Sequence, residues 1–318
     1  MLRRSVAVLA LLAIGCAGCD SAGGTQDAAS SPPVSVSSPP PTVPASSTAP
    51  LSSTLPTTPR SSSVRRTPRP SSSHRHRSPS PTHKSTPRRD TVALPPVAGG
   101  SPVVVLNPGH NGGNGSHPVQ INRQVPAGYG NYKACDTTGT TTNAGYSEHA
   151  FNWDVSLRVR RILQGRGVRV ILTRPSDDGV GPCVDERAAI GNRRGVAAVV
   201  SIHADGAPSA GHGFHVNQDA RRPDGATAAT AARSIELGRD IHAALQRSSG
   251  LVPSTYIGQD GYYFRTDLAG LNLATNPATF LELGNMRNAG DAALQSSGAG
   301  RQRIALAIAA GILAYLNR

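Results

Sequence analysis

The sequence has 318 residues, with 32 Lys/Arg against 19 Asp/Glu for a net charge of +13, and 26 prolines. Sixteen of those prolines fall between residues 31 and 96, among Ser and Thr with almost no large apolar side chains. That composition excludes a packed core there and leaves one domain from about residue 101 onward. Residues 1–100 hold 11 Lys/Arg and 3 Asp/Glu, so most of the excess charge sits outside the domain. No aromatic residue interleaves these basic residues and no nucleic-acid-binding motif appears, so no nucleic-acid partner is expected.

The chain opens on "MLRRSVAVLALLAIGCAGC", which reads as an export signal over residues 1–19. Arg3 and Arg4 form a positive start, and Ser5 to Ile14 an apolar run far too short to span a bilayer. Its endings resemble a bacterial lipobox, in which a cysteine is lipid-modified after cleavage. Cys16 follows the apolar run directly, whereas Cys19 leaves an even pair behind it; the residues do not choose between them, or exclude secretion without lipid. Residues 20–100 are expected as a disordered, basic Ser/Thr/Pro-rich linker, either a solvated spacer or a contact to anionic lipid or wall polymer. The mature protein is expected outside the cytoplasm, membrane-anchored or secreted to the cell envelope, and as a monomer. Disulfides persist there, so Cys135 and Cys183 are expected as a bridge rather than two unrelated buried thiols.

The domain begins with a strand over Val103–Leu106, followed by "NPGHNGGNG". Neither a dinucleotide loop nor a P-loop can be laid on its glycines. What remains is a histidine, His110, at the carboxyl end of a strand, where open α/β sheets build their sites. Glu148 then starts a helix whose apolar residues Phe151, Val155, Val159 and Ile162 recur at three- and four-residue spacing. Gly165 and Gly167 close it before a strand over Val168–Thr173. "VDERAAIGNRRG" reads as a short helix, and Ala197–Ile202 as a strand ending at His203. Gly213–Val216 is a further strand, Ala226–Gln246 a helix, Thr279–Leu283 a strand and Arg301–Leu316 a helix; residues 249–276 stay unassigned. Alternating strands and helices predict an α/β domain with a mostly parallel central sheet and helices on both faces.

Glu282 is an acidic residue inside the otherwise apolar strand "TFLELGN". An unpaired carboxylate buried there costs several kcal/mol. Taken singly, a histidine after a strand is more often a turn residue, and a Glu at a helix start is favourable with the helix dipole alone. Together, His110 and His203 with one glutamate, Glu148 or Glu282, offer two His and one Glu, a familiar catalytic zinc set that leaves the other carboxylate free.

The ordered segments "VVVLNPGHNGG", "GYSEHAFNWDVSLRVRRILQGRGVRVILTR", "DERAAIGN", "AAVVSIHADG" and "ATFLELGNMRN" resemble the zinc-dependent N-acetylmuramoyl-L-alanine amidases of the amidase-3 family, which are peptidoglycan hydrolases. The resemblance implies one Zn²⁺ held by His110, Glu148 and His203, Glu282 as the catalytic carboxylate, and a peptidoglycan or muropeptide substrate. The apolar neighbours Leu281 and Leu283 are expected to raise the Glu282 pKa. Asn107 stands where the family usually has Asp, which bears on the support of His110, and "SIHADG" replaces the commoner Ala-Asn after the second histidine.

The 37 residues between His110 and Glu148 exceed the usual family spacing and are expected to form a loop over or beside the cleft, pinned by Cys135–Cys183. Arg187 and Asn192 are read as structural hydrogen bonders, and Asp205 as support for His203 or a turn residue. His212 and His215 are candidates to line the cleft, and His117, His149 and His242 are background. The competing readings are a zinc hydrolase of a different amide, a wall-binding protein with a silent site, and a basic anchoring protein.

Overall fold

A computed structural model of the protein describes residues 100–318. The export signal, all but the end of the linker, and Cys16 and Cys19 lie outside the described residues. In chain order the elements are β1 (Val103–Pro108), a 3-10 turn (Asn114–Ser116), α1 (Pro118–Ile121), β2 (Gln124–Gly128), β3 (Asn131–Ala134), α2 (Glu148–Gln164), β4 (Arg169–Leu172) and α3 (Val184–Gly191). There follow β5 (Val196–Asp205), β6 (His215–Asp219), α4 (Ala228–Ser248), β7 (Tyr262–Arg265), α5 (Ala269–Asn272), β8 (Ala278–Asn285), α6 (Ala289–Ser296) and α7 (Gly298–Leu316).

Six strands form the main sheet in the order β4-β1-β5-β8-β6-β7. β1 pairs in parallel with β4 and β5, and β5 with β8, whereas β6 runs antiparallel to β8. The sheet is therefore mostly parallel, with one reversal at β6. The strand expected over Gly213–Val216 begins at His215 and continues to Asp219. The unassigned stretch supplies β7 and α5, and α6 is a helix the periodicity did not show. No helix among the described residues is long and apolar enough to cross a membrane.

Strand alternation sorts the side chains onto two faces. On one, Val104 and Leu106 of β1, Val200 and Ile202 of β5 and Leu281 and Leu283 of β8 join α2, α4 and α7 in the main core. Phe151, Val155, Val159 and Leu163 recur on one side of α2 and are all fully buried there. On the other face a smaller cluster gathers Val105, Val199, Ala278 and Leu271, with Ile190 of α3 packed against it. Helices thus cover both faces, but α3 and α5 have only eight and four residues. Their shortness leaves the ends of β1, β5 and β8 open on that side, and Asn107, His203 and Glu282 project there.

α7 crosses α4 so closely that a Cβ at Gly311 would run into the Ile241 backbone. Gly→Ala inside a helix ordinarily gains about 1 kcal/mol, whereas overfilling a packed interface costs about 1–3 kcal/mol. Gly311→Ala is therefore expected to lower the urea midpoint of unfolding; a raised midpoint would contradict this packing.

Candidate functional site

His110 lies two residues beyond β1 with φ 57°, in the left-handed region that few non-glycine residues enter. The preceding Gly109 cannot carry a side chain, because a Cβ there would overlap the His203 ring. That close approach brings the two imidazoles together, edge to face, with centroids 4.9 Å apart. His203, near the end of β5, stacks on Phe280 of β8 at 4.2 Å between centroids. Glu148, the first residue of α2, reaches both rings. Its Oε1 is 3.2 Å from His110 Nε2 and 3.0 Å from His203 Nδ1.

The Glu148 carboxylate is fixed from several sides. Its Oε2 accepts from the Thr140 N–H at 2.9 Å; its Oε1 accepts from the Ala204 N–H and Asn152 Nδ2, each at 3.2 Å. The Thr140 contact depends on a tight turn at Gly139, φ 74°, where a Cβ would sit 2.7 Å from Oε2 and 2.8 Å from His110 Cδ2. One ligand atom from each of His110, Glu148 and His203 can be chosen so that all lie within 4.8 Å of one another.

The far side of His110 decides its protonation. Nδ1 is 3.0 Å from the Thr137 carbonyl oxygen and 3.2 Å from Asp136 Oδ1. A carbonyl oxygen can only accept, so Nδ1 carries a proton and donates it. Nε2 of the neutral ring then presents a lone pair to a carboxylate oxygen, and two acceptors at 3.2 Å need a cation between them. Burial would lower the His110 pKa, but Glu148 and Asp136 outweigh it and hold it up at about 10. Burial likewise would raise Glu148, yet the two histidines hold it well below the usual carboxylate range. His203 is pushed down by burial, with Glu148 opposing. The cluster is built around one positive charge, and its donor set fits a divalent metal ion as well as a proton.

Asp136 was not singled out by the sequence, although it follows Cys135. Its second oxygen accepts from Arg187 Nη2 at 3.1 Å. Arg187, on α3, also donates to the Pro108 carbonyl at 2.7 Å, the Asn107 Oδ1 at 3.2 Å and the His110 carbonyl at 3.3 Å. Cys135 and Cys183 form the expected disulfide, joining the insert to the residue that caps α3. Asn107 does not reach His110. It donates to Ser201 Oγ at 3.0 Å and accepts from Thr173 Oγ1 at 2.7 Å. Asp136, a carboxylate from the insert, supports His110 instead.

The insert is structured, with the β2–β3 hairpin and α1, and it walls a cavity of about 390 Å³ through Lys133, Asp136, Thr137 and Thr140. The opposite walls come from His203, Asp205, Arg265 and Glu282. Glu282 sits in β8 in register with His203. The Glu282 pKa is raised as expected, but not by Leu281 and Leu283, since the alternation of the strand sends both into the main core on the other face. Burial raises the Glu282 carboxyl well above its usual range, reinforced by the charges of Glu148 and Asp205. Its Oε2 is buried and has no hydrogen-bond partner among the described residues.

Asp205 accepts from the Tyr256 hydroxyl at 3.0 Å and from the Gly206 N–H at 2.7 Å, combining a turn with a place in the cavity wall. Asn192 bonds the Leu273 carbonyl and the Thr275 N–H, as a structural residue. His212 and His215 do not line the cavity: His212 contacts Thr255, and His215 is buried on β6, opposed to Glu282 of β8. His149 pairs with Asp177 at 2.8 Å, His242 is buried on α4 beside Tyr262, and His117 is exposed.

Residues 104–314 match the Amidase_3 family, N-acetylmuramoyl-L-alanine amidase. The chain is 46% identical over 232 residues to N-acetylmuramoyl-L-alanine amidase Rv3717 of Mycobacterium tuberculosis, spanning 73% of this chain and 93% of that protein. Among solved structures, the N-acetylmuramyl-L-alanine amidase Ami1 of Mycobacterium smegmatis is similar at 46% identity and TM-score 0.64, over 68% of this chain and 97% of that one. Ami1 of Mycobacterium abscessus, in its apo form, gives 48% identity and TM-score 0.64 over 68% and 99%. The geometry at the strand ends and these likenesses agree, and the chain belongs to the Amidase_3 family of N-acetylmuramoyl-L-alanine amidases.

Proposed function

We propose that His110, Glu148 and His203 hold one Zn²⁺, and that Glu282 carries the proton in hydrolysis of the amide between N-acetylmuramic acid and L-alanine. Amide hydrolysis in peptidoglycan is the activity of the family to which the chain belongs. The observation that supports the zinc assignment is the approach of two imidazole nitrogens, His110 Nε2 and His203 Nδ1, to one Glu148 oxygen at 3.2 and 3.0 Å, with His110 Nδ1 committed elsewhere. Two imidazoles and one carboxylate are a set that catalytic zinc takes while keeping a position open. Bound there, Zn²⁺ supplies Lewis acidity toward water and an amide carbonyl.

The chain's own residues account for the rest of the chemistry. Glu282 lines the cavity with a carboxyl held well above its usual range, so it can take a proton from the attacking water and return it to the leaving amine near neutrality. Asp136 keeps the His110 Nδ1 proton in place, and Arg187 keeps Asp136 ionised. Residues 101–318 form the catalytic domain in this proposal. The export signal over 1–19, with or without lipid at Cys16 or Cys19, and the linker over 20–100 place it in the cell envelope.

Mass spectrometry of muramyl peptides after incubation with the purified protein tests the reading. Free peptide beginning at L-alanine is expected, lost on chelation and restored by zinc. Cleavage at another amide, or intact substrate at full zinc load, would contradict it. Among variants, Glu282→Gln is expected to keep one zinc per chain while turnover falls by roughly 10²- to 10⁴-fold. His110→Ala and Glu148→Ala are expected to lose the metal, and equal zinc content in all three would sink the role assignments.

Metal affinity should also depend on pH. With His110 held at about 10, a proton occupies the metal-free cluster at neutral pH and must leave as metal enters. Apparent affinity is therefore expected to rise about tenfold per unit between about pH 6 and pH 9; a flat profile by competitive chelator titration would contradict the shared charge. Asp136→Ala should weaken affinity by roughly 10- to 100-fold at fixed pH.

A further inference from the structure

We propose that His215, with Asn217, positions the Glu282 carboxyl group through a buried water. This rests on the proton-carrying role of Glu282 and adds a residue that touches neither substrate nor metal.

β6 runs antiparallel to β8, and its first residue, His215, is directly opposed to Glu282. Opposed residues on antiparallel strands project to the same face, with Cβ atoms about 4.5–5.5 Å apart. Asn217, two residues on and opposed to Phe280, lies on that face too. His215 is 1% exposed and Asn217 0%. Among the described residues, His215 Nδ1, both polar side-chain atoms of Asn217, and Glu282 Oε2 have no hydrogen-bond partner. Four orphaned polar atoms on three neighbouring positions of one sheet face are a costly arrangement unless something joins them.

A single water typically makes about three hydrogen bonds to buried groups of this kind. Two other polar groups nearby are already engaged. The Tyr256 hydroxyl donates to Asp205, and Arg265 is paired with Asp267. The rings of Tyr256 and Tyr263 meet His215 edge to face at 6.0 and 6.2 Å between centroids, which fixes its plane. Burial lowers the His215 pKa to about 4, against the pull of Asp205 and with the push of Arg265, so the ring is a neutral donor and acceptor at working pH. Held from the neighbouring strand at Oε2, Glu282 is left with its other oxygen for the attacking water. A carboxyl free to rotate would present that oxygen only part of the time.

The test uses zinc-loaded protein and a muramyl peptide, with three substitutions at one position. His215→Phe keeps the ring and removes both nitrogens; His215→Asn places an amide near Nδ1, and His215→Gln places one near Nε2. His215→Phe is expected to lower kcat roughly 10- to 100-fold, with KM and zinc per chain unchanged. His215→Asn should recover most of that loss and His215→Gln should not. Wild-type kcat in His215→Phe, a kcat loss that tracks zinc loss or a KM rise, or no recovery in His215→Asn would each overturn the inference. Should His215→Phe fail to fold, Asn217→Leu tests the same water and is expected to lower kcat several-fold with KM and zinc constant; unchanged kcat would overturn it. Glu282→Gln runs alongside. If it turns over normally, the proton role of Glu282 fails and takes this inference with it; if it is inactive while His215→Phe is fully active, the inference alone fails.

Discussion

Two imidazole nitrogens directed at one buried carboxylate oxygen make an arrangement that requires a positive charge, and much of this molecule is arranged around that requirement. Glu148 Oε1 lies 3.2 Å from His110 Nε2 and 3.0 Å from His203 Nδ1. Its own charge is held by two backbone amides and Asn152. Leaving such a carboxylate without a cation would cost several kcal/mol. The need for charge, rather than any one ligand, makes a strand end and a helix start into a site that could hold a metal ion.

The fold meets this requirement by dividing its labour between two faces. The main core, with α2, α4 and α7 against β1, β5 and β8, fixes the strands in register. The opposite face is covered only by the short α3 and α5, so the carboxyl ends of the same strands remain accessible. Ligands gather where parallel strands end in open α/β sheets, and here the insert closes the remaining side. Arg187 connects the parts, since its guanidinium binds the end of β1 and the carboxylate that orients His110. The disulfide brings insert and α3 together at the same place.

His110, Glu148, His203 and Glu282 were legible because each stands at a strand end, at a helix start or as a lone charge within an apolar strand. Asp136 was not, because its partners His110 and Arg187 come from remote segments and its own surroundings are turn residues. β7 is four residues long and carries no alternating apolar signal, so it stayed hidden within residues 249–276. The opposition of His215 to Glu282 depends on the reversal at β6, which a pattern of alternating strands and helices does not announce. Leu281 and Leu283 show the converse error: neighbours in sequence along a strand are on opposite faces in space. The environment of Glu282 is instead set by burial, Glu148 and Asp205.

The most direct test of the charge-centred cluster is zinc-edge X-ray absorption on the purified, zinc-loaded protein. The account predicts a shell of nitrogen and oxygen only, with two imidazoles at about 2.0–2.1 Å and a carboxylate oxygen at about 2.0–2.2 Å. A sulfur ligand at about 2.3 Å, or a shell with fewer than two imidazoles, would contradict it.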